Sequence, residues 1–100
     1  MTVLVVATMK ADKAAFEKVL AENGEAMKAI ASRGRAAGAV HHRFGLGADG
    51  TVVILDEWDS AESFHAFFAD PEIAGIMKES GVTGPPEVTI VEALDTVDQF

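Results

Sequence analysis

The chain contains no cysteine. That excludes disulfide staples, thiol catalysis and thiolate metal sites, and it fits a cytoplasmic protein. Basic residues are scarce: 8 Lys and Arg stand against 16 Asp and Glu, a formal net charge of −8. Such a surface repels phosphate backbones and anionic headgroups, so neither nucleic acid nor a membrane is an expected partner. Long apolar runs are missing. The stretch Val3–Ala7 has no basic flank and is too short to span a bilayer or to serve as a secretion signal. No G-x-S-x-G elbow, H-E-x-x-H pair or P-loop occurs. Repeats, linkers and low-complexity segments are also absent. With 100 residues and 49% apolar content, residues 1–100 are expected to form one domain around one core.

What the chain does have is strands that are apolar on both sides. Side chains alternate along a strand. Thr51–Trp58 therefore puts Val53 and Leu55 on one face, and Val52, Ile54 and Trp58 on the other. Met1–Ala7 does the same. An antiparallel sheet with helices on one side should be polar on its second face. Here something must cover that face, and a chain this short cannot do so alone. A second copy is the expected cover, giving a homodimer.

The order of elements reads β-α-β-β-α-β. Strand one covers about Thr2 to Met9. Helix one follows, with Asp12 as N-cap and an apolar stripe of Phe16, Val19, Leu20, Met27 and Ile30. Asn23 interrupts that stripe, and Gly24 marks a bend or a close contact. Lys28 and Arg33 suit the negative end of the helix, and Gly34 is its expected stop. Strand two spans about Ala37 to Leu46. Gly47–Gly50 is turn chemistry leading into strand three, Thr51–Trp58. Asp59 and Glu62 resemble a capping box for helix two, which buries Phe64, Phe67 and Phe68. Asp70-Pro71 ends that helix and starts a short one carrying Ile73, Ile76 and Met77. Gly81–Pro86 reads as a loop and Glu87–Leu94 as the last strand. Two βαβ-type units joined by a hairpin give an α+β, ferredoxin-like fold: a four-stranded antiparallel sheet with its helices on one face.

Few residues carry chemistry. Gly45-Leu-Gly-Ala-Asp-Gly50 spells G-x-G-x-x-G, but a strand follows it instead of a helix. Its glycines therefore shape a hairpin, and no nucleotide cofactor is expected. His41 and His42 are neighbours on a strand and point to opposite faces, so they cannot chelate one metal together; no metal site is expected. His42 shares a face with Val40, Phe44 and Leu46, and His41 shares one with Ala39 and Arg43. His65 lies on the flank of the phenylalanine stripe of helix two. Histidine is the side chain best placed to move a proton near neutrality, so His42 and His65 are the candidate catalytic groups. Trp58 is the only tryptophan. With Phe44, Phe64 and Phe68 it could line an apolar pocket between helix two and the sheet.

One segment carries a family resemblance. Glu57-Trp58-x-Ser60-x-Glu62-Ser63-Phe64-x-Ala66-Phe67-x-x-Asp70-Pro71, after a hairpin and before a short helix, resembles the antibiotic-biosynthesis-monooxygenase-like branch of the dimeric α/β-barrel superfamily. The resemblance implies a ferredoxin-like protomer paired sheet to sheet. It also implies a range of activities: cofactor-independent oxygenation of aromatic polyketides or quinols, haem breakdown, or none. Active members often carry an asparagine on strand one, a tryptophan ending strand three and a histidine on helix two. Trp58 matches the tryptophan. Ala7-Thr8 stands at the asparagine position, and Phe67 at that of the histidine, with His65 two residues earlier.

Three functional readings follow. The dimer could hold a small apolar or aromatic molecule against Phe44, Trp58, Phe64 and Phe68, oriented by His42 or His65. It could be a cofactor-free monooxygenase with His42 or His65 as base and Arg43 steadying the resulting anion. It could be a structural dimer with a filled pocket. A cavity bordered by Trp58 that also contains a histidine would favour chemistry.

Overall fold

The computed structural model describes residues 1–100. Its elements are β1 (Val3–Ala11), α1 (Lys13–Glu22), α2 (Gly24–Ala37), β2 (Ala39–Leu46), β3 (Thr51–Trp58), α3 (Ala61–Phe68), α4 (Pro71–Glu79) and β4 (Val82–Glu92). The four strands form one antiparallel sheet in the order β2-β3-β1-β4. This is the ferredoxin-like α+β arrangement, with each connecting helix split in two.

The split in the first helical segment falls at Asn23. Its backbone leaves helical geometry (φ −120°, ψ 29°), and its side-chain amide donates to the Val19 carbonyl. The polar interruption of the apolar stripe is thus a junction. Asp12 caps α1 as expected, accepting from the Ala15 amide at 2.8 Å. The stop of the helix is not the glycine expected. Gly34 is not the stop: it is buried inside α2, where a Cβ would be in ordinary contact with Phe67 Cζ of α3 at 3.4 Å. The stop is Gly38, whose φ of 127° is a conformation that side-chain-bearing residues rarely adopt.

The second cap also moves by one residue. Ser60, not Asp59, caps α3, its hydroxyl accepting from the Ser63 amide at 3.1 Å. Ser60 has the extended backbone an N-cap requires (φ −158°, ψ 159°). The Asp59 carboxylate instead lies against Gly38. Asp70 and Pro71 open α4 as expected, with Asp70 accepting from the Glu72 amide at 2.9 Å. Arg33 ties α2 to this corner by donating to both Asp70 and Glu72. The segment Gly81–Pro86 is not all loop. Val82 pairs with Ala11 and Thr83 with Lys10, so β4 begins five residues earlier than its apolar pattern indicates. A bulge then absorbs Gly84, Pro85 and Pro86, which fits prolines on an edge strand.

The inner sheet face carries the core. Val5, Ala7 and Met9 of β1 and Val52, Ile54 and Trp58 of β3 are buried there. Phe16 covers one end, and Phe64 covers the other. The outer face has no helix. Leu4 (41% exposed), Val6 (39%), Leu55 (52%) and Val91 (50%) form an apolar band across β1, β3 and β4. The two-faced reading of the strands therefore describes both faces. No helix is long and apolar enough to cross a membrane.

Candidate functional site

The hairpin register builds the site. Gly47–Gly50 closes the turn, with the Gly47 amide donating to the Thr51 carbonyl at 2.8 Å. The G-x-G-x-x-G glycines thus serve the hairpin. Counting back from Leu46 opposite Val52, His42 falls opposite Asp56 on the inner face. The pairing slips between Ala39 and His41, which lets Ala39 face Trp58 while His42 still faces inward.

Asp56 is the polar residue of an otherwise apolar strand face, and its side chain is 2% exposed. A buried carboxylate needs donors. It has two. Trp58, two residues on and therefore on the same face, donates its indole N–H to Asp56 Oδ2 at 3.0 Å. His42 Nδ1 lies 2.7 Å from Oδ1. Indole nitrogen can only donate, so the carboxylate accepts on that side, and the Nδ1 proton of His42 satisfies the other. In the neutral ring this arrangement leaves Nε2 as the acceptor, and Nε2 has no protein hydrogen-bond partner. The ring is 38% exposed, and Phe44 packs against it edge to face at 4.8 Å.

This ring borders a cavity of about 550 Å³. The floor is the inner sheet face, through Ala39, Phe44, Ile54 and Trp58. One wall is α2, through Met27, Ile30, Ala31 and Gly34. The opposite wall is Phe67 and Phe68 of α3 with Ile73, Ile76 and Met77 of α4. Gly34 lies beside the Phe67 ring, where a methyl would be in ordinary contact and a longer side chain would meet the ring. Trp58, Phe64, Phe67 and Phe68 pack around one another with ring centroids 4.7–6.4 Å apart, which fixes the aromatic wall.

The candidate residues separate into three groups. His42, Phe44, Trp58 and Phe68 meet in this cavity. Phe64 and His65 border a smaller hollow of about 280 Å³ between α3 and β4. Ile54, Phe68 and Met77 border both spaces and divide them, so the two histidines do not converge. Arg43 pairs with Leu55 on the outer sheet face and lines neither space. Period-two alternation requires this, since Arg43 follows His42. The cavity also draws on residues the sequence reading did not assign to it: the α2 wall, the α4 wall and Asp56. No cluster of three or more potential metal ligands exists.

No protein-family model matches the chain, and no curated protein sequence does. Solved structures do. The monooxygenase from the ActVA-Orf6 gene of Streptomyces coelicolor, in complex with the ligand nanaomycin D, superposes with a TM-score of 0.65 at 23% identity. The match covers 95% of this chain and 89% of that one. The chain has the antibiotic-biosynthesis-monooxygenase-like fold. A variant of SnoaB, a cofactor-independent oxygenase from Streptomyces nogalater, gives a TM-score of 0.65 at 21% identity over 98% of both chains. Rv0793 from Mycobacterium tuberculosis gives 0.65 at 20% identity, over 97% of this chain and 99% of that one. At these identities the likeness is one of fold.

Proposed function

We propose that the protein binds a small, largely apolar aromatic molecule bearing a hydroxyl in the cavity between α2, α3–α4 and the sheet, and that His42 is its polar anchor. The observation that carries this reading is the Asp56–His42 pair on the wall of a mostly apolar space. A cavity of about 550 Å³ falls in the range that small ligands occupy. The aromatic walls favour flat rings, and an Nε2 acceptor favours a ligand O–H. Binding to the folded state alone raises the melting temperature by mass action. A thermal-shift screen of polyketides, quinols, quinones, fatty acids and haem tests this, with quenching of Trp58 fluorescence to place the ligand. Hydroxylated aromatics should raise Tm and quench Trp58. A screen with no shift overturns the reading.

A second reading is cofactor-free monooxygenation, favoured by the pairing of His42 with Asp56 on the cavity lining. Nε2 would take the proton of a phenol or hydroquinone, and Asp56 would stabilise the imidazolium that forms. The electron-rich anion would then react with dioxygen. Dioxygen is both oxidant and oxygen source: one atom replaces two hydrogens as a carbonyl, and the other leaves as water. Two characterised proteins of the same fold are a monooxygenase and a cofactor-independent oxygenase, which supports this reading. Oxygen uptake with an electron-rich phenolic substrate should be lost in His42→Ala. Turnover that survives that replacement rules out His42 as the base.

We assign the working unit as a homodimer paired through the outer sheet face. The exposed band of Leu4, Val6, Leu55 and Val91 supports this assignment. The tail adds further apolar surface at Leu94, Val97 and Phe100. Sedimentation at micromolar protein is the test: a dimer is expected, and a stable single subunit removes the assignment.

A further inference from the structure

The lining of the main cavity runs against the charge of the whole chain. Acidic residues outnumber basic ones 16 to 8, yet the acidic residue on the lining is Asp56 alone. Both its oxygens are already engaged, by His42 and Trp58. The other ionisable groups bordering the space are Lys28, Arg35, His41 and His42. All four are cationic or can become so.

Lys28 and Arg35 stand seven residues apart on α2. That is two turns, so both fall on the same side of the helix, about 10 Å apart along its axis. They flank the apolar stripe that forms the α2 wall. Neither is consumed by the fold. The Lys28 partner is Glu25 at 3.4 Å, and the two side chains are 77% and 92% exposed. Such a pair holds its members weakly. Arg35 forms no ion pair and no side-chain hydrogen bond. Its position in the last turn of α2 suits the helix dipole; Lys28, expected near the end of one long helix, instead stands near the start of α2 because the helix divides at Asn23, and the dipole does not account for it.

We infer that the cavity selects an anionic aromatic molecule: flat apolar rings against Trp58 and the phenylalanines, and an acidic group held at the α2 lip by Lys28 and Arg35. This rests on the binding reading above and narrows it to one ligand class. A surface of net charge −8 disfavours an anion in general. A preference for the anion must therefore come from local charge.

Two fluorescent probes separate the outcomes. Anilinonaphthalene sulfonate and N-phenylnaphthylamine share one aromatic body and differ by the sulfonate. At low salt the sulfonate should bind roughly tenfold more tightly, with the advantage shrinking as salt is added. In Lys28→Gln/Arg35→Gln the advantage should vanish while N-phenylnaphthylamine affinity is unchanged; circular dichroism confirms that the variant is folded. Equal or weaker sulfonate binding by the native protein overturns the inference and leaves the cavity reading intact. So does a preference that persists in the double variant. If neither probe binds or quenches Trp58, the cavity reading and the inference fall together.

Discussion

Replacing Asp56 separates two jobs that one carboxylate performs. In Asp56→Ala, the indole N–H of Trp58 loses its acceptor in a place where the residue is 2% exposed. A buried donor left unsatisfied costs about 1–3 kcal/mol. The hydrogen bond to His42 is lost as well, but that ring is 38% exposed and water can reach it. The total is about 2–4 kcal/mol, or a fall in Tm of roughly 10–25 °C for a domain of this size. Asp56→Asn should behave differently. Its amide oxygen can still accept from Trp58, and its NH2 can donate to His42 Nδ1. Stability should then stay within about 1 kcal/mol of the native protein. The imidazole proton, however, moves to Nε2, and the acceptor facing the ligand becomes a donor. Hydroxylated ligands should weaken while carbonyl-bearing ones hold or improve. Urea unfolding followed by Trp58 fluorescence, at fixed protomer concentration, measures the first effect, and ligand titration measures the second. An Asp56→Ala variant within about 0.5 kcal/mol of native would refute the reasoning about the buried indole. An Asn variant as unstable as the Ala variant would refute the exchange of donor and acceptor.

Other perturbations address the frame around the site. Leu55→Glu places a charge in the exposed outer band, so sedimentation should show a dissociated protomer with near-native circular dichroism. Gly38→Ala forces a side chain into a φ of 127° and against Asp59 Oδ1, and should lower stability by about 1–3 kcal/mol in a chemical melt. Asp49 is held below the usual carboxylate range, first by the Lys10 ammonium at 2.9 Å and then by the Thr51 amide and hydroxyl. A depressed folded value means stability that is present above the unfolded pKa of about 3.9 and is lost as pH falls through the folded value. Asp49→Asn should therefore flatten the acid-unfolding profile below about pH 4, and an unchanged profile would contradict the assignment.

The sheet was legible because period-two alternation is a strong signal and both strand faces were spelled out. Val52, Ile54 and Trp58 lie inward, and Leu55 lies outward. The helical segments were harder. Gly34 and Gly38 both suit a helix end by residue type, and only the path of α2 past Phe67 decides between them. Likewise Asp59 and Ser60 are both good caps, and the neighbouring backbone selects the serine. The site itself was half legible. The turn fixes the hairpin register, so counting outward from Leu46 and Val52 puts His42 opposite Asp56. The same counting sends Arg43 to the other face. An aspartate two residues before Trp58 on an apolar strand face was the available signal for a buried partner. The separation of His65 from His42 was not available, because it depends on how Phe68 and Met77 fill the space between them.

Nitrogen NMR of the imidazole rings, recorded while 2-naphthol is added, addresses the central claim most directly. His42 should carry its proton on Nδ1 before any ligand is present, and the Nε2 resonance should move as naphthol saturates the cavity while Nδ1 stays protonated. A His42 ring with its proton on Nε2, or an Nε2 resonance indifferent to bound naphthol, would contradict the account.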